Sequence, residues 1–82
     1  MQEFHYVYVL QSTIDPSKHY TGLTEDLKER VKKHNAGEVS HTRKYCPWKI
    51  RVAVAFANRK QAAAFEQYLK SHSGRVFASR HF

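Results

Sequence analysis

Hydrophobic and polar residues alternate in the first quarter of the chain in a way that predicts a β-hairpin. Residues 4–11 place aromatic and aliphatic side chains on one face, while Val7 and Val9 occupy the other. A turn signal at residues 15–18 follows, and residues 19–23 then indicate a returning strand. Because both faces of the first strand are apolar, we expect it to be covered on both sides.

Two later segments complete the pattern, one with helical spacing and one with strand spacing. Leu27 and Val31 share a helical stripe with Arg30 and His34. The apolar pair should face the sheet, which places Arg30 and His34 at its border rather than in solvent. Residues 48–57 alternate bulky and small side chains, so they predict a third, well-packed strand.

Capping signals set the expected limits of the helices. Thr24 is predicted to cap the first helix and Gly37 to end it. Asn58, with Gln61 three residues later, predicts the start of a second helix, which the pair at residues 73–74 should end. Both helices would then have ordinary lengths for a small domain.

The remaining segments are less regular. Glu66 lies on the otherwise apolar stripe of the second helix. The polar, basic stretch at residues 38–47 predicts a loop, and residues 75–82 are ambiguous, with Val76 and Phe77 expected to pack back onto the core. With no repeat or linker in view, we expect one domain over residues 1–82. Its fold class is α/β (α+β), a small three-stranded antiparallel sheet flanked by helices.

Charge narrows the class of partner. The 82 residues include fourteen Lys and Arg against seven Asp and Glu, a formal net charge of +7. Such an excess attracts a polyanion, and the phosphate backbone of a nucleic acid is the expected partner. The single cysteine, Cys46, and the lack of a leader or long apolar run at the start predict a cytoplasmic, non-membrane protein. The scattered histidines do not have the spacing of a structural zinc site.

Two short tyrosine motifs give a more specific indication. Residues 6–8 read Tyr-Val-Tyr, and residues 20–22 read Tyr-Thr-Gly. In this order and context they resemble the two motifs of the GIY-YIG nuclease family. The resemblance equates Tyr8 with the tyrosine of the first motif and Tyr20 with that of the second.

Three further residues extend the resemblance over nearly the whole chain. Arg30 matches the catalytic arginine of the family's first helix, His34 a nearby Tyr or His position, and Glu66 the metal-binding glutamate of a later helix. Residues 41–43 and 47–48 are similar to those of small single-domain bacterial members. These in turn resemble the N-terminal nuclease module of the bacterial DNA-repair excinuclease.

The resemblance implies a metal-dependent endonuclease that cleaves DNA phosphodiester bonds. In this interpretation Tyr20 is the general base, Arg30 stabilises the transition state, and Glu66 binds Mg²⁺ or Mn²⁺. Tyr8 would orient the attacking water or a metal-bound group, and His34 would contact phosphate or assist proton transfer. An arginine suits the phosphate role because its donors form a fixed fork.

Two other functions remain open from the sequence. In the first, the chain is a catalytically weak or inactive module that only binds nucleic acid. In the second, it is a protein-interaction module that uses the region around Trp48. The residues expected to contact nucleic acid are Gly22, His41, Arg43, Lys44 and Lys49. The sequence does not distinguish DNA from RNA as the substrate, nor does it predict an oligomeric state.

Overall fold

The three predicted strands form one antiparallel sheet in the order β2-β1-β3. In this computed structural model, which describes residues 3–82, β1 spans His5–Ser12, β2 spans His19–Thr24 and β3 spans Trp48–Phe56. The central strand, β1, pairs with β2 through the hairpin and with β3 on its other edge. The predicted hairpin and third strand are therefore confirmed.

Three α-helices flank this sheet, which confirms the predicted α+β class. Helix α1 spans Leu27–Asn35, α2 spans Arg59–Lys70 and α3 spans His72–His81. The loop between α1 and β3 contains one short 3₁₀ turn, Arg43–Tyr45. The ambiguous last segment is thus a full helix.

The two faces of the sheet bury different kinds of side chain. On one face, Val7 and Val9 form a buried cluster with Ala62 and Leu69 of α2, and aromatic residues of α2 and α3 pack around it. On the other face, Tyr8 and Leu10 pack with Trp48, and the apolar residues of α1 lie against them. We call these the α2 face and the α1 face. Alternation along β1 sends successive side chains to opposite faces, as expected for a covered strand.

The limits of α1 follow partly from the predicted caps. Asp26, not Thr24, is the N-cap residue, and its carboxylate accepts a hydrogen bond from the backbone NH of Glu29. Thr24 instead ends β2, and its hydroxyl accepts from the Asp26 NH. Gly37 ends the helix as predicted, with a φ of 76° that favours glycine.

The predicted end of α2 is wrong. The break occurs at Ser71, whose hydroxyl accepts a hydrogen bond from the Gly74 NH and so begins α3. Gly74 lies inside α3, where a Cβ would collide with the carbonyl oxygen of Tyr68. The missing side chain at Gly74 therefore permits close packing of α2 and α3 and does not end a helix. Phe77 joins the core of the α2 face, but Val76 is exposed, contrary to the prediction.

Trp48 does not present a surface for another protein. It is only 5% exposed, and its indole NH donates to the carbonyl oxygen of Thr42. The Asn35 side chain accepts from the Trp48 NH and donates to the Trp48 carbonyl, so it ties the end of α1 to the start of β3. The interaction hypothesis based on this tryptophan therefore loses its support.

Candidate active site

Tyr8 stands at the centre of the α1 face. It is 1% exposed, and in the register of the hairpin it lies opposite Gly22 of β2. A Cβ at Gly22 would collide with the hydroxyl end of the Tyr8 ring. The glycine of the second motif thus makes room for the tyrosine of the first.

The Tyr8 hydroxyl is part of a buried chain of hydrogen bonds. Its oxygen lies 3.0 Å from His34 Nε2, and His34 Nδ1 lies 2.7 Å from Thr42 Oγ1. The Thr42 hydroxyl donates to the carbonyl oxygen of Val39, so it accepts from His34 Nδ1. His34 Nε2 is then the acceptor, and the Tyr8 hydroxyl donates its proton to it.

Arg30 completes this chain from the side of α1. Its Nε donates to the Tyr8 hydroxyl oxygen over 3.4 Å. The hydrogen bond to Tyr8 raises the pKa of Arg30, and the nearby hydroxyl of Tyr20 acts in the same direction. The guanidinium is therefore held permanently charged beside both tyrosines.

Burial controls the protonation of the other two groups in the chain. The pKa of Tyr8 is raised, chiefly by burial, although the hydrogen bond from Arg30 opposes the shift. The pKa of His34 is lowered, first by burial and then by the charge of Arg30. His34 is fully buried, so near neutral pH it is a neutral imidazole able to accept a proton.

Tyr20 lies beside this chain on the edge strand. Its ring centroid is 4.9 Å from that of His34 and 6.4 Å from that of Tyr8. It is only partly buried, in contrast to Tyr8. The structure thus brings Tyr8, Tyr20, Arg30 and His34 together, and Tyr20 is the tyrosine that solvent reaches.

The four grouped residues do not include Glu66, which forms an ion pair with Lys70 of the same helix. Its Oε2 lies 2.6 Å from Lys70 Nζ, and the Gln67 side chain donates to its Oε1. The Glu66 side chain is 12% exposed, on the stripe of α2 that also carries Ala62 and Leu69. The charge of Lys70 also acts to lower the pKa of Tyr8, against the larger effect of burial.

Glu66 suits a cation that needs few protein ligands. Among residues 3–82, no group of three or more His, Cys, Asp or Glu residues is arranged to hold a metal ion. Mg²⁺ retains several waters and uses one or two carboxylates together with substrate phosphate oxygens. A single, mostly buried carboxylate is compatible with that mode of binding, provided that the Lys70 ammonium moves aside.

The residues predicted to contact nucleic acid divide into two groups. His41, Arg43, Lys44 and Lys49 are all exposed, on the loop and the start of β3. Gly22 is buried under Tyr8, so its position is explained by packing.

Sequence reasoning missed two residues of this site. Thr42 fixes the tautomer of His34, and Lys70 neutralises Glu66. Lys70 follows Glu66 at i+4, a spacing that predicts an ion pair. No sequence spacing indicated the contact between Thr42 and His34, because that contact depends on the path of the loop.

Comparisons with known proteins show the family of this chain. The model of the GIY-YIG catalytic domain matches residues 4–79. The chain belongs to the GIY-YIG family. This makes it a member of a nuclease family, as the two tyrosine motifs predicted.

Several relatives share the family and most of the length. The UPF0213 protein of Haloquadratum walsbyi is 38% identical over 74 residues, which cover 89% of this chain and 81% of that protein. The UPF0213 protein of Bacillus licheniformis is 39% identical over 70 residues, covering 84% of this chain and 70% of that protein. The solution NMR structure of the UPF0213 protein from Bacillus halodurans has a TM-score of 0.56 and 30% identity, and the match covers 94% of this chain and 83% of that one.

No helix within residues 3–82 is both long enough and apolar enough to cross a bilayer.

Proposed function

We propose that this protein is a metal-dependent endonuclease that cleaves phosphodiester bonds in DNA. The observation that carries the proposal is the hydrogen-bonded chain from Arg30 through Tyr8 to His34, with Tyr20 packed against it. A permanent cation can stabilise the charge that develops on a phosphate, and a partly exposed phenol beside it is a candidate general base. Membership of a nuclease family supports the same conclusion.

Arg30 is the phosphate-binding residue in this proposal. Its Nε is fixed by Tyr8, so the plane of the guanidinium is set before a substrate arrives. A scissile phosphate would meet the terminal Nη groups, which take no part in that hydrogen bond. Such an oriented fork stabilises the charge that develops on the phosphate oxygens in the transition state.

Tyr20 is the general base that prepares the attacking water. It is the partly exposed tyrosine, so a water molecule can reach its hydroxyl. Arg30 lies close enough to interact with that hydroxyl, which contributes to the raised pKa of Arg30. Tyr8 and His34 position the guanidinium and the Tyr20 ring. His34 exchanges protons through Nε2, the atom that is hydrogen-bonded to the Tyr8 hydroxyl.

Glu66 would hold the divalent cation, Mg²⁺ or Mn²⁺, with substrate oxygens and water as the other ligands. When bound, such an ion supplies Lewis-acid stabilisation of the phosphate and of the leaving oxygen. Lys70 neutralises the Glu66 carboxylate until then. This arrangement keeps a mostly buried carboxylate paired when no cation is present.

The test is cleavage of fluorescently labelled branched, single-stranded and duplex DNA by purified protein with Mg²⁺ or Mn²⁺. The matched control is Glu66→Gln, which keeps the shape of the side chain and removes its charge. We expect the wild-type protein to cut at least one substrate and the variant to lose about a hundredfold or more of the rate. Equal cleavage by both proteins would contradict the proposal.

A binding function without cleavage is the second candidate. It is favoured by the Glu66–Lys70 ion pair, which already satisfies the carboxylate, and by the exposed basic residues Arg43, Lys44 and Lys49. It predicts salt-dependent binding that neither metal removal nor Glu66→Gln alters. The same set of substrates, measured for binding and for cleavage, separates the two functions.

A further inference from the structure

A cavity of about 620 Å³ opens on the α2 face of the sheet. It lies opposite the tyrosine cluster, our name for the group of Tyr8, Tyr20, Arg30 and His34. We call it the basic cavity. Its cationic side chains come from the hairpin turn, β3, α2 and α3, in the order Lys18, Arg51, Lys70 and Arg75. None of the residues that line it is Asp or Glu, although Glu66 pairs with Lys70 at its wall.

The cavity also has an apolar wall. Val9, Leu69, Ala78 and Phe82 contribute to its lining, beside the cations. A ligand with both an anionic group and a flat or apolar part fits this combination, whereas a free phosphate ion uses only the cations. A nucleotide has such a composition.

Arg51 is oriented for this role before any ligand binds. One of its terminal nitrogens, Nη1, lies 3.0 Å from His19 Nε2, and the other, Nη2, donates to the Phe82 carbonyl oxygen over 2.6 Å. The pKa of His19 is lowered by its partial burial and by the charge of Arg51. His19 is therefore neutral at physiological pH and accepts from the guanidinium, which stays in place at the mouth of the cavity.

Tyr20 connects the basic cavity to the candidate active site. It belongs to the tyrosine cluster through its ring contact with His34, and it also lines the cavity. Because β2 is an edge strand, a ligand can pass around it from one face of the sheet to the other. A nucleic-acid strand whose scissile phosphate lies at Tyr20 and Arg30 would therefore have a flanking nucleotide at the mouth of the cavity.

We propose that the basic cavity binds an unpaired nucleotide next to the scissile phosphate, with Arg51 and Arg75 on its phosphate and the apolar wall on its sugar and base. The volume lies within the range of about 300–1,000 Å³ in which pockets enclose one small ligand, so one nucleotide fits it, and a base that enters the cavity leaves its pairing partner. This inference rests on the proposed nuclease function and specifies its substrate class. The preferred substrate carries a single-stranded segment at the cleavage site.

The first test measures binding without metal, in the cleavage-deficient Glu66→Gln protein, with fluorescently labelled hexathymidylate and a duplex of the same length. The variant pair Arg51→Gln/Arg75→Gln removes two cations from the cavity. Its matched control, Arg59→Gln/Lys60→Gln, removes two exposed cations from the start of α2, away from the cavity.

We expect the cavity variants to bind hexathymidylate about tenfold more weakly at low salt and to reduce the salt slope by about 0.7, since both arginines contact one phosphate and each neutralised phosphate on a single strand contributes about 0.7. The control pair should change binding by less than about twofold. Equal weakening by both pairs, or unchanged binding by the cavity pair, would overturn the proposal. If circular dichroism shows that the double variant is unfolded, Arg75→Gln alone is measured, because Arg75 is exposed.

A second measurement identifies the ligand by amide chemical shifts in the Glu66→Gln protein. Hexathymidylate should shift the amides of Ala78 and Ser79, which line the cavity. Thymidine monophosphate should bind much more weakly, because it lacks the scissile phosphate that Arg30 holds. A monophosphate that binds as tightly as the oligomer, or a duplex that shifts the same amides as strongly, would contradict the assignment of an unpaired segment of a strand.

These readouts separate the cavity from the catalytic proposal. Loss of the nuclease function would appear as no metal-dependent cleavage by the wild-type protein, whatever the binding. Failure of the cavity proposal would appear as unaltered binding in the Arg51 and Arg75 variants, whether or not the wild-type protein cleaves.

Discussion

The two faces of the central sheet are stabilised by different physical means. On the α1 face, Tyr8, His34 and Thr42 are buried polar groups, and each finds a hydrogen-bond partner. On the α2 face, the core is apolar, built on Val7, Val9, Ala62 and Leu69 with aromatic pairs around them. The α1 face thus adds a buried hydrogen-bonded chain to the packing of Leu10 and Trp48, whereas the α2 face relies on apolar packing.

This difference determines what each face tolerates. An apolar cluster responds to changes of volume, because a lost or added methyl group alters packing directly. A buried polar chain responds to the loss of single atoms, because each removal leaves a partner unpaired. The α1 face should therefore be sensitive to isosteric changes that the α2 face would accept.

The largest effect is expected on the α2 face, at Gly74. Gly74→Ala would force a Cβ against the Tyr68 carbonyl and separate α2 from α3. We expect a loss of about 3 kcal/mol or more in the free energy of unfolding, measured by urea denaturation. The control is Gly37→Ala, where space is available but the φ of 76° favours glycine, so the cost should be about 1 kcal/mol. An equal loss at both positions would show that the close helix contact is unimportant.

The next effect contrasts the two tyrosines of the α1 face. Tyr8→Phe leaves His34 Nε2 without its donor and Arg30 without its acceptor, so we expect a loss of about 1–3 kcal/mol in unfolding free energy. Tyr20→Phe should cost less than about 0.5 kcal/mol, because Tyr20 is partly exposed, yet it should abolish cleavage. Stability from denaturation and rates from the cleavage assay test both statements. A large stability loss for Tyr20→Phe would assign it a packing role instead.

A smaller effect concerns pH. His34 has a pKa lowered below its ordinary value of 6.5, so below about pH 6.5 the unfolded chain binds more protons than the folded protein. The free energy of unfolding should be constant above that pH and fall as the pH decreases below it. The decline is at most about 1.4 kcal/mol per pH unit for one proton.

The pH effect has a matched control in His19, whose pKa is also lowered but which is exposed. Denaturation curves between about pH 7.5 and 5.5 should retain most of the decline in His19→Gln and lose most of it in His34→Gln. A decline that persists unchanged in His34→Gln would show that another group is responsible.

The smallest effect concerns the ion pair between Glu66 and Lys70. Lys70→Gln removes the ammonium that pairs with Glu66, so divalent ions should bind more tightly. Because Lys70 is 47% exposed, the pair contributes at most about 1 kcal/mol, and the gain in affinity should not exceed about fivefold. Mn²⁺ titration by electron paramagnetic resonance measures it, with Lys60→Gln as the control. Unchanged affinity would place the cation elsewhere than at Glu66.

Much of this arrangement could be predicted from the sequence, because it depends on local periodicity. The strand alternation around Tyr8 and the helical stripe of Arg30 and His34 fix which side chains face each other once the sheet forms. The hairpin then sets Tyr20 beside them. These residues converge because the elements that carry them are regular.

Other features depend on contacts between distant segments, and local rules gave the wrong answer there. Glycine is a residue type that commonly ends helices, so Gly74 suggested the end of α2. The chain instead breaks three residues earlier, at Ser71, whose hydroxyl caps the next helix. The strand pattern placed Trp48 correctly in a packed strand, but the hydrogen bond from its indole NH to the Thr42 carbonyl depends on the path of the loop. The contact of the Thr42 hydroxyl with His34 could not be predicted from the sequence for the same reason.

The position of His34 also limits how long it can remain charged. It is fully buried, its Nδ1 is already occupied by Thr42, and the guanidinium on its other side is positive. An imidazolium there would be desolvated next to a like charge, so a proton that reaches Nε2 is released again rather than retained. The ring therefore stays a neutral acceptor for the Tyr8 hydroxyl at neutral pH, and it contributes orientation of the Arg30 side chain rather than positive charge.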